Sequence, residues 1–420
     1  MDLMHGLLRK KNKKMPTLLQ INSVANTGST GHIAEDIGRL AIANGWKSYI
    51  AYGRKALTSQ SNLIRIGNKF DVLWHVFMTR FFDLHGLASR RATKKFIQQI
   101  EQIKPDVIHL HNIHGYYLNY KILFNYLAKC GKPVVWTMHD CWAATGHCSH
   151  YTFVKCIVWQ SDRGCKHCSQ KKGYPTSILF SNAAYNFKQK KRYFNLLRED
   201  QLTIVTPSKW LSDEIGKSHL GHYKRIVINN GIDLDIFKPV ENTEQGNKKI
   251  ILGVASVWDE RKGLEDFIKL SNLLNADEEI ILVGLSEKQI ESLPKDKNIH
   301  GIRRTESQRQ LAELYAKAIC FVNPTYEDTF PTTNLEALAC GTPVITYRTG
   351  GSTEAVDEAT GFVVEQGDIK SIREYITAIE NTGKPYFSQS CQSRAENLFN
   401  KIERFDEYIN LYNQVIEKNE

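Results

Sequence analysis

What the chain lacks narrows the field first. No uninterrupted apolar run in its 420 residues approaches the roughly 20 that a membrane-spanning helix needs. In the opening MDLMHGLLRKKNKKMP the charges follow a short apolar part, the reverse of a secretory signal, so the chain is expected to work in the cytoplasm. There is no internal repeat and no low-complexity segment beyond that basic start. A Walker loop is missing: NTGSTGHIAEDI carries no Lys-Ser/Thr and also fails the G-x-G-x-x-G pattern. No basic recognition helix follows the cysteines, as a DNA-reading finger would require, so no nucleic-acid partner is expected.

What is present describes a globular protein of two domains. Hydrophobic residues make up 42% and charged residues 24%, and 420 residues exceed one ordinary core. A formal net charge of +10 calls for a polyanionic partner: nucleic acid, a phosphorylated small molecule or an anionic membrane surface. Two basic concentrations stand out, RKKNKK at residues 9–14 and FKQKKRYFNLLR at residues 187–198. The second interleaves cations with Phe187, Tyr193, Phe194, Leu196 and Leu197. It reads either as a peripheral contact with the inner face of a membrane or as a solvated helix with an ordinary core side.

Short apolar segments ending in polar residues alternate with helical periods. TLLQINSV, KSYIAYG, DVIHLHN, PVVWTMHD, LTIVTPS and RIVINNGID come before a polar stretch at residues 238–249. KIILGVAS, EIILVGL, AICFVNPT and TPVITYR come after it. Such alternation predicts α/β architecture with parallel sheets covered on both faces. The expected division is a first doubly wound domain over residues 1–240, a second over 248–395, and a final amphipathic helix over 396–420. Two such sheets would place a ligand in the interdomain cleft, at facing strand C-termini.

Candidate chemistry falls at those strand ends. In NPTYEDTFPTTNLEALACGTPV, Asp328 and Glu336 flank a turn in which Pro331 opens a helix. Unpaired amides there suit an anion, and a carboxylate on each side suits sugar and ribose hydroxyls. Thr333-x-x-Glu336 also fits a capping box, and Glu327 with Asp328 also fits a solvated loop. In VWDERKGLEDF, Lys262 precedes a glycine and a helix and can neutralise a diphosphate, with Arg261 adding paired contacts. Gly28 and Gly31 sit between the first strand and first helix, either approaching a ligand or serving turn chemistry. His139 and Asp140 end PVVWTMHD and face the expected cleft.

Together these residues resemble the retaining GT-B glycosyltransferases of the family-4 type, closest to a bacterial polysaccharide-biosynthesis subgroup. The resemblance rests on an E-x7-E motif, present as Asp328-x7-Glu336, and its LEA-x-A-x-G-x-PV continuation. It implies that Glu336 binds the donor ribose, Asp328 the transferred hexose, and backbone amides near Phe330 to Thr333, those of Thr332 and Thr333 after Pro331 included, the sugar and diphosphate. It implies further that Lys262 holds phosphate and that His139 lies near the transferred sugar. Gly28 and Gly31 would meet donor phosphate or acceptor. The family's strand arginine falls near Ser256 here, so either Arg261 substitutes for it or the donor is held differently. The implied reaction retains anomeric configuration, uses no catalytic metal or other cofactor, and moves a hexose from a nucleotide-diphosphate sugar to a glycan or polyprenyl-linked acceptor. A zinc-bearing nucleic-acid-binding protein and a nucleotide-sugar epimerase are the alternatives.

Five of nine cysteines crowd into residues 141–175. Cys165-x2-Cys168 is a short chelating pair, with Cys148 and Cys156 upstream, and four thiolates make a closed structural zinc site. The resembled subgroup often carries such an insertion after its HD motif. Free thiols or a redox pair is the other reading, and Cys141 is read as packing.

Overall fold

The computed structural model describes residues 15–161, 163–240 and 248–419. The basic segment at residues 9–14 and most of the polar stretch at 238–249 lie outside these. Two parallel sheets, each covered by helices, form a two-domain GT-B architecture.

The first sheet holds β1 (Thr17–Asn22), β2 (Lys47–Tyr52), β3 (Asn62–Arg65), β4 (Val107–Leu110), β5 (Val134–Thr137), β6 (Leu202–Thr206) and β7 (Lys224–Val227). Their order is β3-β2-β1-β4-β5-β6-β7. The second holds β8 (Lys249–Val254), β9 (Glu278–Val283), β10 (Ile299–Ile302), β11 (Cys320–Asn323), β12 (Val344–Tyr347) and β13 (Gly361–Val364) in the order β10-β9-β8-β11-β12-β13. Central strands β1, β4, β5, β6, β11 and β12 are buried at every position, which is why they read as unbroken apolar runs. Strand order reverses between β1 and β4 and again between β8 and β11, so the loops after these strands open onto crevices.

The chain crosses between domains twice, side by side. Ile232 pairs with Asn400, and Gly231 lies so close to Lys401 that a Cβ would come within 2.3 Å of its Cα. Lys401 Nζ meets Asp233 at 2.6 Å. The final helix, Lys401–Glu417, then packs on the first domain, where Phe405, Tyr408 and Tyr412 share a core with Ile33, Ile37 and Trp46. Tyr412 donates through its hydroxyl to His109 Nδ1 at 2.6 Å.

The basic segment at residues 187–198 belongs to the core of the first domain. In the helix Ala183–Phe194, Phe187, Lys190 and Phe194 are buried, and Leu197 follows them inside. Lys190 Nζ donates to the carbonyls of Trp142 (2.6 Å) and Thr145 (3.0 Å), and burial lowers its pKa to about 7. The membrane reading of this segment is therefore corrected: Phe187, Phe194 and Leu197 are taken up by the protein's own core, which leaves Leu196 as its exposed apolar residue.

Tyr412→Ala is expected to cost about 3–5 kcal/mol in urea unfolding, because it leaves a cavity under the final helix. A loss below about 1 kcal/mol would show that the helix does not hold the first domain.

Candidate functional site

The second domain's part of the site is built by one close backbone approach. After β8, Asp259 caps a short turn by accepting from the Arg261 amide, and Gly263 ends that turn with φ of 74°. A Cβ on Gly263 would sit 2.3 Å from the Pro324 carbonyl, so only glycine lets this turn lie against the loop after β11. The Tyr326 amide donates to the Arg261 carbonyl at 2.7 Å and fixes the register. Lys262 Nζ is thereby brought to 2.6 Å from Asp328 Oδ2. Burial works to raise the Asp328 pKa, but the Lys262 ammonium overrides it and holds the carboxyl below its ordinary value.

The helix Thr332–Ala339 follows with Pro331 at its N-cap and no side-chain cap. The Thr333–Glu336 capping box does not form. Glu336 accepts instead from Tyr315 Oη at 3.0 Å and from the Thr332 hydroxyl. Burial raises its pKa to about 7 against those two bonds. Phe330 is buried against Phe399, and its amide donates to Asp328 Oδ1 at 3.2 Å. Thr332 and Thr333 occupy the first turn, where helix amides lack intrahelical partners.

Arg261 and Glu327 are placed differently from the sequence expectation. The guanidinium meets Asp259 Oδ2 through Nη2 (2.7 Å) and Glu327 Oε1 through Nη1 (3.2 Å). Glu327 is buried and its Oε2 accepts from the Phe153 amide (2.9 Å) and Thr152 hydroxyl (3.2 Å) of the first domain. Glu327 thus anchors the cysteine-rich insertion across the cleft, and Arg261 holds Glu327 in place.

Two further contacts join the domains at the site. Thr329 Oγ1 donates to the His139 carbonyl at 2.9 Å, and Ser208 Oγ donates to the Thr329 carbonyl at 2.8 Å. The Glu354 carboxylate accepts from the Lys209 and Trp210 amides, opening the helix Lys209–Gly216. The loop carrying Asp328 is thereby joined to the His139 backbone, and His150 acts electrostatically on both Asp140 and Asp328.

Behind His139 runs a hydrogen-bonded chain that fixes its proton. Gln20 Nε2 donates to the Ala34 carbonyl (2.8 Å), which turns Gln20 Oε1 towards His111 Nε2 (3.0 Å). His111 must then carry its proton on Nε2, and burial holds the ring neutral with its pKa well below the ordinary value. Its bare Nδ1 accepts from His139 Nε2 at 3.1 Å. Burial likewise lowers His139 to about 4, with Asp140 working in the other direction. The neutral ring is left with Nδ1 as an acceptor. Asp140 stands 2.9 Å from His114 Nε2 and accepts from the Trp142 amide, also at 2.9 Å. Burial opposes its ionisation, but His114 pulls its pKa down to about 2. Gln20, His111 and His114 were not singled out in the sequence, although HLHNIH at the end of β4 carries the signal.

Gly28 and Gly31 open the helix Gly28–Ala43 at the same edge of the first sheet. Asn22 links this turn to the histidine loop: its Nδ2 donates to Thr30 Oγ1 (3.3 Å) and its Oδ1 accepts from the Asn112 amide (3.3 Å).

The cysteines lie in the insertion. Cys148 and Cys168 share a hydrogen bond, Cys165 neighbours Cys156 and Cys168, and Cys165 Sγ accepts from the Gly146 amide at 3.2 Å. Among the described residues no three His, Cys, Asp or Glu side chains are arranged to hold a metal ion. The donor set suits zinc, but the thiols would have to draw together around it. Cys141 is buried in the core.

The fold and site define a two-domain transferase with its cleft between facing strand ends, and the comparisons give the family. Residues 34–236 match the model described as "Glycosyltransferase Family 4", and residues 236–397 match "Glycosyl transferases group 1". The chain is a GT-B glycosyltransferase of the group 1 and family 4 type. It is 23% identical over 418 residues to an Escherichia coli (strain K12) protein named as a colanic acid biosynthesis glycosyl transferase, WcaC, covering 94% of this chain and 99% of that one. A Staphylococcus aureus capsular polysaccharide biosynthesis glycosyltransferase, CapM, is 24% identical, over 52% of this chain and 63% of its own. Sucrose-phosphate synthase from Thermosynechococcus elongatus superposes with a TM-score of 0.69 at 16% identity, covering 96% of this chain and 100% of that one. Anabaena HepE in complex with UDP gives 0.65 at 15% identity, over 95% and 100%.

The raised pKa of Glu336 has a signed consequence for stability. Between about pH 4.5 and 7 the folded chain keeps a proton there that the unfolded chain has lost, so this carboxyl's contribution falls as pH rises through the window. Glu336→Gln is expected to melt higher than the parent by a margin that grows from pH 5 to pH 8. A margin independent of pH would contradict the assignment.

Proposed function

We propose that the cleft transfers a hexose, with retention of anomeric configuration, from a nucleotide-diphosphate sugar to a glycan or polyprenyl-linked acceptor in bacterial surface polysaccharide synthesis. The observation that carries this reading is the Lys262–Asp328 pair of one domain, seated next to Thr329, whose hydroxyl donates to the His139 carbonyl of the other. Lys262 and Asp328 neutralise each other across 2.6 Å. A donor diphosphate takes the ammonium, with the first amides of the helix Thr332–Ala339 adding partial positive charge. The released Asp328 carboxylate then accepts from hexose hydroxyls. Glu336, ionised on binding, accepts from the ribose diol. His139 Nδ1 accepts one more sugar hydroxyl.

In the transfer the bond from the anomeric carbon to the diphosphate oxygen breaks, and the acceptor oxygen bonds to the same face. The acceptor's proton passes to the departing diphosphate oxygen, whose charge Lys262 stabilises. Asp140 stays a carboxylate near neutral pH and so serves to orient His114 and meet an acceptor hydroxyl. The relatives named for colanic acid and capsule synthesis support the pathway class, and the UDP complex of HepE makes UDP-sugars the first donors to test. The nucleic-acid and epimerase readings gain no support from these matches.

The insertion's role in this reading is to hold the cleft's outer wall, with zinc as its staple. Metal analysis is expected to find about one zinc per chain, lost in Cys165→Ser. Metal-free protein that keeps its full stability would contradict the staple.

Lys262→Ala and Glu336→Ala are each expected to lower the transfer rate by about 10²–10³-fold with a nucleotide sugar found by thermal-shift screening. Wild-type turnover in both variants would defeat the proposed function.

A further inference from the structure

The helix Lys69–Phe82 is built inside out. Its polar His75 and Thr79 are the buried residues. His75 Nδ1 meets Ser89 Oγ at 2.8 Å, His75 Nε2 accepts from the Gly86 amide at 2.9 Å, and Thr79 Oγ1 donates to the His75 carbonyl at 2.9 Å. Its large apolar side chains face outward: Phe70 is 81% exposed, Leu73 63% and Trp74 56%. The patch is continuous. Trp74 stacks on Phe77 with centroids 5.5 Å apart, and Phe82 stacks on Phe180 at 6.3 Å with ring planes 11° apart. Exposed Ile178 and Leu179 extend it. A core helix would turn this face inward, and contiguous apolar surface of this extent marks a binding face.

The rim of the patch carries one sign of charge. A groove of ≈ 970 Å³ runs between Phe70, Leu73, Trp74 and Phe77 on one wall and Arg90 and Arg91 on the other. Arg90 and Arg91 begin the helix Arg90–Ile103, which also presents Lys94 and Lys95 to solvent, and Lys69 and Arg80 are exposed on the apolar helix itself. Its one acidic residue, Asp71, is engaged at the N-terminus, where Oδ2 accepts from the Asn68 amide at 2.9 Å.

We infer that this face docks on an anionic lipid bilayer, with the aromatic side chains at the acyl boundary and the arginines and lysines on lipid phosphates. Charge complementarity selects this occupant. A second copy of the chain, meeting through the same patch, would press one cationic rim against another. The helix is also tied to the rest of its domain. Asp83, which ends the apolar helix, binds His147 Nδ1 at 2.6 Å and the Asn182 amide at 2.7 Å, tying the helix to the cysteine-rich insertion. The inference goes beyond the proposed transfer reaction and does not rest on it.

The test is vesicle flotation of the full chain, using equal parts phosphatidylglycerol and phosphatidylcholine against phosphatidylcholine alone. Binding is expected to the anionic vesicles and to weaken with added salt. Leu73→Glu with Trp74→Glu, and separately Arg90→Glu with Arg91→Glu, are each expected to reduce partitioning about tenfold or more at an unchanged melting temperature. Tyr386→Glu, which alters an equally exposed aromatic on the second domain, is expected to bind as the parent does. Absence of flotation with both vesicles, equal flotation of all variants, or a dimer that Trp74→Glu converts to monomer would overturn the inference.

Discussion

The site depends on the seating of one loop. Residues 328–330, after β11 of the second domain, are held against the strand ends of the first by the Thr329 hydroxyl on the His139 carbonyl and by Ser208 on the Thr329 carbonyl. Gly350 and Gly351 lie so close behind the loop that a Cβ would reach within 1.8 Å of the Asp328 carbonyl and 2.1 Å of the Thr329 carbonyl. The loop can neither rise from the cleft nor slide along it without breaking buried hydrogen bonds, and such groups are expensive to leave unpaired. Everything reactive is measured from it: Asp328 to Lys262 on one side, His139 and Asp140 on the other.

The site's charges are held in balance by one another. Lys262 and Asp328 satisfy each other, Glu336 is kept near its protonation midpoint, and a neutral relay holds His139. A second hydrogen-bonded chain, whose His109 ring lies 3.9 Å from that of His111, reaches the C-terminal helix. Thr137 Oγ1 donates to Tyr408 Oη, so His109 Nε2 must donate to Thr137, and His109 Nδ1 accepts from Tyr412. The final helix thus helps set the histidine rings at the ends of β4 and β5 as well as covering the sheet. Such preorganisation spares the transition state the cost of reorienting dipoles.

Both sheets were legible in the sequence because their central strands are buried on two faces and read as short apolar runs. The strands that escaped, β3, β10 and β13, all lie at sheet edges, where NLIR, IHGI and GFVV are partly exposed and carry no unbroken apolar signal. Lys262, Asp328 and Glu336 were legible because they share a local pattern with turn glycines and a helix start. The bond between Arg261 and Glu327 and the hold of Glu327 on the backbone of residue 153 were not legible, because these partners lie far apart in the chain. The capping box was displaced by a proline at the N-cap. The helix Lys69–Phe82 hid its nature for a related reason. Its sequence is apolar enough to be core, and only the burial of His75 and Thr79 reveals which side faces out.

The central claim is that Lys262 must leave Asp328 to hold the donor's diphosphate. Equilibrium titration of Asp328→Asn with UDP and GDP tests it most directly. Without the competing carboxylate, the variant should bind its nucleoside diphosphate about tenfold more tightly than the parent while losing transfer, an electrostatic gain on the order of 1.4 kcal/mol. Weaker or unchanged binding by Asp328→Asn would contradict the account, because the ammonium would then owe its position to something other than this pair.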